Sequence, residues 1–176
     1  HYHFASSMHV VTRHRTSNGI GGLNAQCLRY EDAMYSTQGR GFQGFKAISI
    51  DESLGDVHDR TVRTAYHDMF PLTGRPYHVA TRLRTDPPDS NPLSESFNEW
   101  AVEPRPDGSW FVYAERELQI DYDLDHETRP PLRRSSTDFD YLDADLIYGN
   151  PSSQTWVLET LAADEDETLL GRNRTD

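Results

Sequence analysis

Cysteine occurs once in this sequence, at Cys27. A single thiol excludes an internal disulfide and a cysteine-based zinc site. Its place in an alternating apolar stretch predicts a small buried hydrophobe rather than a nucleophile. Long apolar runs are missing too. None approaches the roughly 18 residues that a helix needs to cross a bilayer, so membrane insertion by this segment is not expected. Cations are scarce: 17 Lys and Arg stand against 29 Asp and Glu, a formal net charge of −12. Phosphate backbones and anionic lipid surfaces need clustered Lys and Arg, so no nucleic-acid partner is expected and anionic membranes are disfavoured. Hydrophobic residues make up only 35% of the chain, and the mean hydropathy is −0.78. A compact globule is usually richer in apolar residues. The balance suits thin sheet structure with wet surfaces, or a piece that packs on something else. There is no signal peptide, and the chain begins at His1. It reads as an excised or processed piece, with residues 1–9 a tail or tag remnant and residues 10–176 one β-hairpin segment of a larger protein.

What is present alternates with period two. In "SWFVYAERELQIDYDL" the residues Trp110, Val112, Ala114, Leu118, Ile120, Tyr122 and Leu124 fall on one face, interrupted only by Arg116. Glu115, Glu117, Gln119, Asp121 and Asp123 fall on the other. This predicts a long strand, or a bent pair, with one dry side. "HVVTRHRTS", "LNAQCLRYED", "FKAISID", "DRTVRTAYHD", "YHVATRLRT" and "SSQTWVLETL" read as further strands. Only "QTWVLETLAADEDETLL" fits a helix about as well as a strand. Turn signals fall between the strands, among them "SNGIGG", "TQGRG", "PLTGRP", "DPPDSNP", "PRPDG" and "YGNP". The fold class is therefore all-β, a meander of antiparallel hairpins. The turn glycines Gly39, Gly74, Gly108 and Gly149 are spaced by 35, 34 and 41 residues. Such spacing suggests stacked hairpins, none of which buries its face alone.

Chemistry has few candidates. "STQGRGFQGFKAIS" carries G-x-G-x-x-G at Gly39, Gly41 and Gly44. A dinucleotide fingerprint needs a helix opening at those glycines, and here the strand-like "FKAISID" follows. A kinase loop needs H-R-D and D-F-G, and both are missing. The glycines therefore serve a hairpin turn and bulge that require positive φ. Phe42 and Phe45 would then pin the returning strand into the core, and Arg40 would pair with Glu31 or Asp32. His1 and His3 lack a third metal ligand. His67 and Asp68 have no nucleophile to serve. Asp121, Asp123 and Asp125 resemble part of a calcium loop. The EF-hand glycine and final glutamate are replaced by His126 and Leu132. Whether a structural calcium ion binds there stays open; a hydrated strand edge explains the acids as well. No catalytic residue, metal site or cofactor is expected.

A longer likeness runs through the same residues. "LRYEDAMYS", "GRGFQGFKAISIDE" and "AYHDMFPLTGRPYHVATRL" follow one another, then "SFNEW", "SWFVYAERELQIDYDL" and "FDYLDADLIYGNP". From about Val10 onward the chain resembles the Rhs/YD-repeat toxin shell family, in particular the B component of insecticidal toxin complexes and related plasmid-virulence proteins. The motif positions are Tyr30, Gly39, Arg40, Gly41, Phe42, Gly44, Phe45, Pro71, Gly74, Arg75, Pro76, Tyr148, Gly149, Asn150 and Pro151. The resemblance implies a strip of β-hairpins in the wall of a secreted shell that encloses a toxic polypeptide. Its partners would be the rest of the shell, the enclosed toxin and other toxin-complex components. No residues match the family's self-cleaving aspartate site, so the expectation is a non-enzymatic segment. A β-rich cell-surface module binding carbohydrate or protein is the competing reading, with Trp100, Trp110 and Trp156 as contacts.

Overall fold

A computed structural model describes residues 2–3, 8–53, 59–87, 90–124, 129–141, 151–161 and 167–175. Among them every regular element is a strand and none is a helix. The chain divides into two compact units, His1–Pro92 and Leu93–Asp176.

The first unit holds β1 (Tyr2–His3), β2 (Arg13–Ser17), β3 (Leu23–Ser36), β4 (Gly41–Ser53), β5 (Asp59–Tyr66) and β6 (Pro76–Leu83). Strands β3 to β6 form an antiparallel meander in chain order, and β1 and β2 both pair with β3. Cross-strand partners share a face of a sheet, so the register sorts the side chains. Leu28, Ile50, Val62 and Thr81 form one row, and Tyr30, Ile48, Thr64 and Val79 form the next. These rows make an apolar face that is only half-buried. The opposite face carries the rows Arg29, Ser49, Arg63, Ala80 and Glu31, Ala47, Ala65, His78.

The buried residues lie mainly on that polar face. Ala47, Ala65, Ala80 and Ser49 are buried there, beside long charged side chains. The Arg63 guanidinium donates to Glu31 from Nε at 3.2 Å and Nη2 at 2.7 Å. Arg29 reaches Asp51 at 2.9 Å. Small residues beneath bridging arginines and carboxylates lose their exposure without a second layer, because long stems cover them. Among the described residues no large side chain is fully buried. That fits the low hydropathy. It also corrects two expectations. Cys27 is exposed; it pairs with Arg13 on the short strand β2 and with Asp51 on β4, away from the rows where the small residues are covered. Phe42 is exposed as well, so of the two turn phenylalanines Phe45 is the one more deeply set.

The second unit holds β7 (Ser94–Pro104), β8 (Trp110–Tyr122), β9 (Pro131–Asp140), β10 (Ser153–Leu161) and β11 (Glu167–Thr175), again an antiparallel meander in chain order. β8 is one unbroken strand, but the single apolar face expected from its alternation is not formed. The register against β7 shifts between Glu99 and Trp100 and leaves Glu115 extra. Trp110, Val112 and Ala114 therefore share a face with Trp100, while Arg116, Leu118 and Ile120 share the opposite one with Glu99 and Phe97. Neither set is dry: Trp110 is 48% exposed and Leu124, just past the strand, is 68% exposed. The interrupting Arg116 is explained by the register. It sits opposite Asp138 on β9, and its Nε donates to that carboxylate at 2.6 Å, with Glu99 at 3.8 Å. The segment that fitted a helix equally well forms β10 and β11, whose register shifts between Leu158 and Glu159. Residues 162–166 lie outside the described ones.

Candidate functional site

The turn glycines behave as turn glycines. Gly39, Gly74 and Gly108 have φ of +88°, +80° and +81°, each in the reversal between two paired strands. Gly149 lies outside the described residues, as do Tyr148 and Asn150. The triad at Gly39, Gly41 and Gly44 closes the β3–β4 hairpin. Gly44 has φ +102° beside the register shift between Met34 and Tyr35. Strand β4 continues directly from Gly41, so no helix N-terminus is available to meet a phosphate.

Around this hairpin the motif residues gather at one end of the first unit. The Tyr30 hydroxyl donates to the Val11 carbonyl at 2.8 Å, and its ring lies 4.6 Å from that of Phe45. Phe45 meets Phe42 edge-on at 5.4 Å. The second motif, "FPLTGRP", shapes the β5–β6 loop. His67 donates its N–H to the Arg75 carbonyl at 2.9 Å, Gly74 donates to His67 at 3.0 Å, and Arg75 donates to Leu72 at 2.9 Å. Pro71 follows Phe70 across a cis peptide, and Pro76 opens β6. Pro151 is half-buried just before β10.

The two loops touch. The Arg40 guanidinium lies over the Phe70 ring, 3.5 Å from its centroid. The expected pairing of Arg40 with Glu31 or Asp32 is not formed, because Glu31 is held by Arg63 across the strand. The Arg63 guanidinium, through its hydrogen bonds first, keeps the Glu31 carboxyl below the usual glutamate range. A groove of about 410 Å³ runs between the loops, lined by Met34, Tyr35, Gln38, Arg40, Gln43, Asp68, Met69 and Phe70 among others. A second groove of about 400 Å³ lies on the far side of Asp68, along Glu31, Lys46, Arg63, His67 and Tyr77. Lys46 stands 3.7 Å from Asp68, and the His67 ring lies 5.0 Å from that of Tyr77.

In the second unit Trp100 and Trp110 share a face, since Trp100 pairs with Ala114 and Trp110 with Pro104 around one hairpin. Trp156 pairs with Thr137, Thr137 with Glu117, and Glu117 with Asn98, two residues before Trp100 on β7. The three tryptophans therefore share a face, with Trp156 three strands away from Trp100. Asp121 is bound by Arg133 at 2.5 Å. Asp125 lies outside the described residues. Among the described residues no group of three or more His, Cys, Asp or Glu is placed to hold a metal.

The contact between Arg40 and Phe70 was beyond sequence reading. Both residues stood inside recognisable motifs, but 30 residues separate them and no spacing rule joins two hairpin tips.

No family model matches the chain, and no curated protein matches it. Solved structures do. The crystal structure of TcdB2-TccC3 without its hypervariable C-terminal region is similar over 96% of this chain and 13% of that one, with a TM-score of 0.57 and 10% identity. The crystal structure of TcdB2-TccC3-Cdc42 is similar over 92% and 12%, at a TM-score of 0.54 and 11% identity. That of TcdB2-TccC3 is similar over 88% and 12%, at a TM-score of 0.51 and 11% identity. The chain thus spans about an eighth of the solved chains it resembles, and at this identity the likeness is one of fold.

Proposed function

We propose that this chain is a non-enzymatic wall segment of a secreted Rhs-type β-shell that encloses a toxic polypeptide. The observation that carries the reading is the fold itself: an antiparallel meander of hairpins, similar over 96% of its length to part of TcdB2-TccC3. The ordered run of motifs from Tyr30 to Pro151 supports the same reading from the sequence. Composition agrees with it. A wall one sheet thick has two faces and little interior, so it needs few apolar residues. Each hairpin exposes half its surface until its neighbour pairs with it. A large negative charge keeps such a surface soluble. The partners would be the remaining wall strips and the enclosed polypeptide.

Protease protection tests this. In the natural assembly containing this chain, the enclosed polypeptide should survive trypsin concentrations that digest it when it is expressed alone. A mutation that opens the wall, such as Gly44→Pro at the β3–β4 bulge, should abolish that survival. Digestion at equal rates with and without the assembly contradicts the proposal.

A further inference from the structure

The groove between the β3–β4 turn and the β5–β6 loop is built like a site. Five strand arginines are matched with acids: Arg29 with Asp51, Arg60 with Glu52, Arg63 with Glu31, Arg116 with Asp138 and Arg133 with Asp121. Arg40, in the β3–β4 turn, is not among them. Among the described residues no carboxylate reaches its guanidinium, in a chain with 29 acids. Its guanidinium carbon lies over the Phe70 ring instead, 3.5 Å from the centroid, a contact that uses none of its N–H donors. Beside it lie apolar side chains that a single-layer sheet does not need to leave open: Met69 is 67% exposed, Phe70 47% and Tyr35 43%. Exposed apolar residues gathered around one concavity mark an interaction surface. Thr37, Gln38, Gln43 and Thr73 supply polar groups along the same walls. The one acid in the lining, Asp68, has Lys46 beside it.

We propose that this groove binds an extended polypeptide segment in which an acidic side chain neighbours an aromatic one. The carboxylate takes the fork of Arg40, a planar donor pair suited to bidentate contact. The aromatic ring packs against Met69 and Tyr35, where a thioether and a ring edge both favour it. The Thr and Gln side chains meet the peptide backbone. A volume of about 410 Å³ suits two or three side chains rather than a folded domain. The proposal goes beyond the shell reading and does not depend on it, since it concerns one groove within the first unit.

The test uses the 176-residue chain and a fluorescent peptide, Thr-Asp-Phe-Asp-Tyr-Leu-Asp, read by anisotropy at low salt. Saturable binding is expected, weakened about tenfold or more by Arg40→Met, which keeps an apolar stem on Phe70. A peptide with Asn at every Asp should weaken it equally, and Phe70→Ala should weaken it too. Thermal melts of each variant establish that the fold is retained. Arg40→Lys should restore part of the affinity if melts show Arg40→Met to be unfolded. Unchanged affinity for the Asn peptide or for Arg40→Met would overturn the proposal. So would absence of binding at millimolar peptide. Tight binding of ATP that is lost in Arg40→Met would overturn it as well, assigning the groove to phosphate.

Discussion

At Gly39, Gly41 and Gly44 a β-carbon would meet nothing within 4 Å. Space therefore does not explain these glycines; the left-handed backbone does. Gly44→Ala should cost about 1–2 kcal/mol, the penalty of placing a side chain at positive φ, measured by urea denaturation. Gly39→Asn should cost less, because Asn tolerates that region. Equal costs would show that the turn does not set the penalty. This much was legible beforehand, since glycine spacing in a turn carries its own reason. The fate of Arg40 was not, because an arginine can find any acid or ring within reach and the sequence does not say which. Glu31 offers a pH test. Its folded pKa is depressed, chiefly by the hydrogen bonds from Arg63. Its contribution is therefore present above the ordinary glutamate pKa of about 4.3 and is lost as pH falls through the lower folded value. Both partners are about half exposed, so the contribution is small, within about 1 kcal/mol. Arg63→Met should return the Glu31 carboxyl to its ordinary titration, followed by NMR. A midpoint unchanged from the wild type would contradict the assignment.

At the scale of elements, alternation was a reliable guide to strand identity and a poor guide to which residues share a face. β8 shows both. The strand itself was readable from Trp110 to Tyr122, but its apolar residues do not share one face, because the extra residue at Glu115 turns the alternation over, and a bulge leaves no mark in the pattern. The place where burial concentrates was hidden as well. Ala47, Ala65 and Ser49 look unremarkable in the sequence, and become buried only when the register sets Arg63 and Glu31 beside them. Ala65→Leu should therefore destabilise by about 1–3 kcal/mol through overpacking, whereas Arg116→Leu, on an exposed ion pair, should change stability by less than about 1 kcal/mol. Denaturant midpoints of the two variants, compared at equal slope, decide this. A milder effect at Ala65 than at Arg116 would mean that the polar face is looser than its register implies. The choice between helix and strand at "QTWVLETLAADEDETLL" was undecidable locally. Pairing of β10 with β9 and β11 decided it, and such pairing is tertiary information.

For the molecule as a whole, composition carried more than any motif. Few apolar residues and an excess of acids go with strands in which, among the described residues, no large side chain is fully buried, and the fold is similar to a stretch of TcdB2-TccC3. Electron cryomicroscopy of the natural particle containing this chain tests the central claim most directly. The account predicts that strands β3 to β6 and β7 to β11 lie in a wall one sheet thick, with interior volume on one side and solvent on the other. A particle in which these strands sit inside a solid core, covered on both faces and enclosing nothing, would contradict it.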